Sequence, residues 1–151
     1  MRFTHRVLAT AAVVVGLGAL VAGSPASAAA RSGECSSYTR WDGLWNGRYT
    51  AWYPTTRYGS YSTNCNLLRG DTGPGVRLLQ QVLNRCYGAG LTTDGIYGSA
   101  TAGAVYRVWR NETGVSSMVY EDYLRRHMDW VNWRYDDRGA HSVCLDNSLA
   151  G

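Results

Sequence analysis

The sequence predicts a mainly α fold: a compact three-helix bundle with a short aromatic-rich β ribbon N-terminal to it. Three observations carry that expectation. Apolar residues recur at intervals of three and four from Pro74 to Cys86 and again from Ser99 to Thr113, and a weaker third run extends from about Met118 to Trp130. Glycines stand where each of the first two runs stops. Residues 31–64, by contrast, mix aromatics with turn dipeptides and show no helical period.

Residues 1–30 read as a secretory signal peptide. Arg2, His5 and Arg6 precede an apolar run from Val7 to Ala22, and Gly23, Ser24 and Pro25 break it before the small residues Ala26-Ser27-Ala28. Cleavage after Ala28 and after Ala30 fit equally well. The run is shorter than the roughly 20 apolar residues of a spanning helix. The mature chain is therefore expected to be secreted, extracellular or associated with the cell wall, and to have no membrane contact after cleavage.

Four cysteines, Cys35, Cys65, Cys86 and Cys144, fall in the mature part. An even count in a short exported chain points to disulfides, and three pairings are open. No two cysteines lie at C-x-x-C spacing and only His127 and His141 could join them, so a zinc site is disfavoured and no metal or cofactor is expected. All 15 basic residues are arginines. Without Arg2 and Arg6, 13 remain against 11 acids, and no basic cluster exceeds Arg125-Arg126. The dense positive surface of a nucleic-acid binder is missing.

Residues 31–64 form an aromatic-rich N-terminal extension carrying Tyr38, Trp41, Trp45, Tyr49, Trp52, Tyr53, Tyr58 and Tyr61. Asp42-Gly43, Asn46-Gly47, Pro54 and Tyr58-Gly59 mark its turns, which suits one or two short antiparallel ribbons. The next unit, residues 65–130, holds the helices. The first buries Val76, Leu79, Val82, Leu83 and Cys86, with Thr72 as cap and Pro74 in the first turn, and Gly88 and Gly90 end it. Ser99 is placed to cap the second, which buries Ala100, Ala104, Val105, Val108 and Trp109. The third buries Val119, Tyr123, Leu124 and Met128. Between the first two helices, Asp94-Gly95 makes a tight turn: the carboxylate accepts backbone N–H bonds and the glycine permits a positive φ. Residues 131–151 are read as a tail tied down through Cys144.

The spacing of Gly70, Gly73, Val76, Leu79, Gln80, Leu83 and Asn84, followed by Asp94, Gly95, Tyr97, Gly98, Thr101, Ala104 and Val105, resembles the peptidoglycan-binding domain found at the ends of many cell-wall hydrolases. The likeness runs from Leu68 to about Leu124, half of the mature chain. It implies a three-helix, wall-targeting module without an active site, here in a secreted, disulfide-bearing variant. The chain departs from the pattern at Val108-Trp109, where the family has Phe-Gln, and at Gly114, one residue late. The family's second D-G-x-x-G-x-x-T turn is not present in Ser116 to Asp122.

On that resemblance the expected ligand is peptidoglycan, the expected state a monomer, and the candidate binding residues are Asp94, Tyr97, Arg107 and Trp109. Tyr and Trp can stack on sugar faces, and arginines can hold carboxylates. Gly70, Gly73, Leu79, Gln80, Asp94, Gly95, Gly98 and Thr101 are the motif's structural members. Trp41, Trp45 and Trp52 are further stacking candidates, while core filler is the plainer role for any one of these rings. Catalysis has little support: Glu121-Asp122 and Asp136-Asp137 are adjacent pairs that point apart on a helix, and His127 and His141 have no nucleophile motif to serve. The competing reading is a secreted inhibitor or other protein-binding module that uses the same scaffold for a protein partner.

Overall fold

Alternating aromatic and β-branched residues at both ends of the chain pair into one antiparallel sheet. The computed structural model describes residues 33–136 and 139–146, without the side chains of Trp45, Asn46 and Tyr135. The signal-peptide segment lies outside the described residues. The elements run β1 (Ser37–Gly43), α1 (Leu44–Gly47), β2 (Tyr49–Thr55), α2 (Pro74–Tyr87), α3 (Ser99–Thr113), α4 (Asp122–His127), β3 (Asp129–Asp136) and β4 (Gly139–Asp146). The sheet order is β1-β2-β3-β4.

This overturns the mainly α expectation. The fold joins a four-stranded antiparallel sheet to short helices. The third helix was expected to reach Trp130, but it spans only Asp122–His127, because Met128 turns to extended backbone (φ −105°, ψ 152°). The physical reason is a period of two that outweighs the helical one beyond that point. Trp130 and Asn132 are fully buried on one face while Val131 and Trp133 lie on the other. Residues 139–146 pair with 129–136 along their whole length, from Asp129 with Asp146 to Asp136 with Gly139. At the N-terminal side β1 and β2 form the expected antiparallel ribbon, and the central seam joins Thr50 to Trp133 and Ala51 to Asn132.

The long helices bury the stripes their spacing implies: Val76, Leu79, Val82 and Leu83 from α2, and Ala104, Val105, Val108 and Trp109 from α3. Leu124, Met128, Trp130, Tyr53 and Leu67 join them in the core, as do Tyr97 and Tyr120. Each buried Val, Leu or Met side chain contributes on the order of 2 kcal/mol. Two details of the helix ends differ from expectation. Thr72 bridges to Ile96 and Ser99 is the first helical residue, so Gly73 and Gly98 occupy the cap positions and no side chain caps either helix. Gly88 (φ 61°) closes α2 in the left-handed conformation, with the amides of Gly88 and Ala89 returning to the carbonyls of Asn84 and Leu83.

Disulfides join Cys35 to Cys65 and Cys86 to Cys144. The first fastens the entry of β1 to the loop before α2. The second fastens the last turn of α2 to β4. Among the described residues no helix is long and apolar enough to cross a membrane. The two disulfides fit an exported protein.

Candidate functional site

The Asp94 turn is held from inside the fold by one side chain. Gln80, 1% exposed, donates through Nε2 to Asp94 Oδ1 (2.9 Å), to the Ile96 carbonyl (3.0 Å) and to Thr101 Oγ1 (3.2 Å). Its Oε1 accepts the Gly95 amide at 2.8 Å. Gly95 needs its positive φ of 78°, and a Cβ there would stand 3.1 Å from the Gly73 carbonyl oxygen. Gly73 in turn donates to the Gly95 carbonyl at 2.8 Å and Gly70 to the Tyr97 carbonyl at 3.1 Å. Asn84 pairs with both backbone groups of Leu91. The Gln80 hydrogen bond, then the Ile96 amide, hold the Asp94 carboxyl below the ordinary carboxylate range. These contacts build a turn; Asp94 has its Oδ1 engaged and is not among the residues lining the groove described below.

The two aromatic candidates are core residues. Tyr97 is 1% exposed and its hydroxyl donates to the Met118 carbonyl at 2.7 Å; Trp109 is 2% exposed and its Nε1 donates to the Val119 carbonyl at 2.7 Å. Each ring spends its polar atom on the chain leading to α4. The face of Trp109 is further covered by Tyr123, stacked at 5.7 Å with an interplanar angle of 8°. Neither ring offers a face to a sugar. Arg107 is exposed on α3 and stands apart from the groove described next.

That groove, about 900 Å³, lies between α2 and the sheet. The sheet wall carries Tyr38, Trp52, Val131, Trp133 and Ser142, which share one face by strand register. The helix wall is the stripe Pro74, Arg77, Leu78, Gln81, Val82 and Arg85, spaced by three and four along α2. Tyr38 and Trp52 meet edge to face at 5.5 Å, and Tyr58, 75% exposed, extends the cluster from Tyr38 at 6.3 Å. Trp133 is 37% exposed. Arg85 donates to Ser142 Oγ at 3.0 Å, bridging the walls beside the Cys86–Cys144 disulfide, and Arg77 donates to the Asp94 carbonyl at 3.3 Å. The groove lining holds both arginines and no acidic residue.

Of the tryptophans named from the sequence, Trp52 is in this groove. Trp41 instead packs edge-on against Tyr53 and Tyr61, and the side chain of Trp45 lies outside the described residues. Tyr38, Trp133, Arg77 and Arg85 were not singled out by sequence reasoning. Two signals were available: Leu78 is apolar but off the core stripe of α2, and Trp133 alternates with buried Trp130 and Asn132.

Of the carboxylate and histidine candidates named from the sequence, Asp122, Asp136, His127 and His141 each have a neighbouring partner, and Asp137 lies outside the described residues. Asp122 is bound to Arg125, Arg126 and Thr63; burial would raise it, but these partners hold it below the ordinary range. His127 stacks on Tyr123 and its Nδ1 meets the Tyr123 carbonyl. His141 reaches Asp136 at 3.3 Å on an exposed strand end. Tyr87 accepts the Asp129 amide and lies beside Glu112; burial, then the repulsion of neighbouring acids, raises the carboxyls of Glu112 and Asp129. Among the described residues no group of three or more His, Cys, Asp and Glu could hold a metal ion. Comparison of the chain with protein-family models, with curated proteins and with solved structures finds no match in any of the three.

Proposed function

We propose that this chain is a secreted, non-catalytic peptidoglycan-binding protein, and that the polymer lies in the groove between α2 and the sheet. The observation that carries this reading is the pairing of partly exposed Tyr38, Trp52 and Trp133 on one wall with two arginines on the other, in a cleft large enough for a few sugar units. Ring faces bury sugar C–H surface while guanidinium groups bond carboxylates. The export signal, the two disulfides and the Gly70–Thr101 motif support the same reading. The binding residues move from the Asp94 turn, whose role is structural, to the aromatic wall.

The test is co-sedimentation of the oxidised mature protein with purified insoluble peptidoglycan freed of protein and secondary polymers. Saturable pelleting without release of soluble fragments is expected. Trp52→Ala and Trp133→Ala should each weaken it several-fold in variants that keep their denaturation midpoint. Absence of pelleting by folded wild-type protein sinks the reading, and release of fragments sinks its non-catalytic half.

A further inference from the structure

The two arginines of the groove bear on which part of the wall polymer is read. Arg77 and Arg85 stand eight residues apart on one stripe of α2, so their Cα atoms are separated by roughly 12 Å along the helix axis. Both are exposed, and Arg77 is near enough to Asp94 to help, after the Gln80 hydrogen bond, to hold its carboxyl low. The hydrogen bond of each arginine goes to a neutral oxygen: the Asp94 carbonyl for Arg77, Ser142 Oγ for Arg85. A guanidinium held by one neutral acceptor keeps further N–H groups for a ligand anion. The opposite wall of the groove carries the rings of Trp52, Trp133 and Tyr38.

Resting on the wall-binding reading above, we infer that the groove binds stretches of glycan strand from which the stem peptides have been removed, through two of the lactyl carboxylates so freed, one at Arg77 and one at Arg85, with sugar faces on Trp52 and Trp133. The ligand class is a linear acidic polysaccharide whose carboxylates recur at about the length of a disaccharide. An extended peptide suits the site less well. Strand addition needs the free edge of a strand, where main-chain groups pair, whereas this groove is walled by the side chains of a sheet face and a helix flank; a proline-rich peptide lying on the rings would leave both arginines without carboxylate partners. It has ring faces and point charges to offer, which is what a pyranose polymer with spaced carboxylates can use. No counter-charge lines the groove, so an uncharged glycan forgoes both arginine contacts.

The experiment compares three soluble probes against the mature oxidised protein by titration calorimetry: glycan strands freed of stem peptides and bearing free lactyl carboxylates, the same strands with those carboxylates amidated, and isolated stem peptides. The free-carboxylate strands should bind, and amidation should weaken binding at least ten-fold. Arg77→Gln and Arg85→Gln should each weaken it about ten-fold, the loss of one charge-assisted contact, and should respond less to amidation. Arg77→Lys should restore part of the affinity, because a point charge still attracts the carboxylate without its bidentate fit. Wild-type protein that pellets with intact wall yet binds amidated strands equally well, or binds stem peptides in preference to glycan, overturns this inference and leaves the wall-binding reading standing. Wild-type protein that pellets with no wall material overturns both. Capture of acidic polypeptides with no glycan binding would mark the groove as a protein-docking site and overturn both as well.

Discussion

Replacing Gln80 by leucine exchanges a buried amide for an apolar side chain of similar size, so packing is nearly conserved while four hydrogen bonds are lost. The partners do not suffer equally. Asp94 Oδ1 keeps the Ile96 amide at 2.8 Å, and the Ile96 carbonyl keeps the Gly98 amide at 2.9 Å. The Gly95 amide, in a buried residue, loses the Gln80 oxygen that accepts it. An orphaned buried N–H costs about 1–3 kcal/mol, and the weakened Ile96 acceptor adds about 0.5–1.5 kcal/mol. Leaving the exposed Asp94 carboxylate out of the sum, the expected loss is about 2–4 kcal/mol, or a Tm lower by on the order of 10 °C. Urea denaturation followed by tryptophan fluorescence measures it, with the slope unchanged so that the midpoint reports stability alone. A variant within about 0.5 kcal/mol of wild type, the usual span of surface substitutions, would refute the claim that Gln80 holds the turn. Asp94→Ala provides the functional control: lost stability with binding retained per folded molecule fits the structural role, whereas a fully stable, non-binding variant contradicts it.

Other expectations are as direct. Gly75→Ala puts a Cβ 1.9 Å from the Cys35 carbonyl oxygen and 2.9 Å from that of Ser37, both main chain, so the start of α2 must retreat from β1. A loss of about 3 kcal/mol or more is expected in denaturant titration, and unchanged stability would show that this approach is looser than described. Removing the Cys86–Cys144 bridge as the double alanine variant frees a loop of sequence separation 58 and should cost about 4 kcal/mol by chain entropy. Since the Cys35–Cys65 loop shares no residue with it, losses from removing both bridges should add; strong non-additivity in denaturation midpoints would contradict that independence. Burial first, then mutual repulsion near Asp146, raises Asp129, and burial raises Glu112 with Asp129 and Asp146 adding to it, so the fold favours their protonated forms. Their contribution to stability falls as pH rises from the ordinary carboxylate range through the raised folded values. Asp94 and Asp122 are lowered and act oppositely: their contribution is full above the ordinary range and is lost as pH falls through their folded values. Glu112→Gln should therefore raise the denaturation midpoint at pH 7, and a drop there would count against the assignment.

How far the sequence foretold this molecule differs from segment to segment. The apolar spacing of α2 and α3 is legible because each helix buries one narrow stripe, and Val76, Leu79, Leu83, Val105 and Val108 are all inside. The β1–β2 ribbon is legible from its aromatics and turns. The last third is misread because Val119, Leu124 and Met128 mimic a helical period, although Tyr123 between them is half exposed and the alternation of Trp130 to Trp133 begins two residues later. Pairing decides between the two periods, and residues 139–146, whose own alternation is faint and mostly exposed, supply that pairing only in three dimensions. The candidate site failed for a related reason. Tyr97 and Trp109 stand beside a recognisable turn, yet their polar atoms are needed by the carbonyls of Met118 and Val119, which draws both rings inward. Arg77 and Arg85 carry no motif; they come to line a groove only when β3 and β4 set a second wall opposite them.

The order of the cysteines bears on how an exported chain reaches this fold. Both bridges join neighbours along the sequence, Cys35 to Cys65 and Cys86 to Cys144. A chain that crosses a membrane N-terminus first presents its thiols in that same order, and an oxidase that joins each newly arrived thiol to the one waiting makes the native pairing without later reshuffling. The central β2–β3 seam, Ala51 with Asn132, must wait until nearly the whole chain has emerged. By then the first bridge can already be closed, so the slow long-range pairing starts from a shortened, tethered chain.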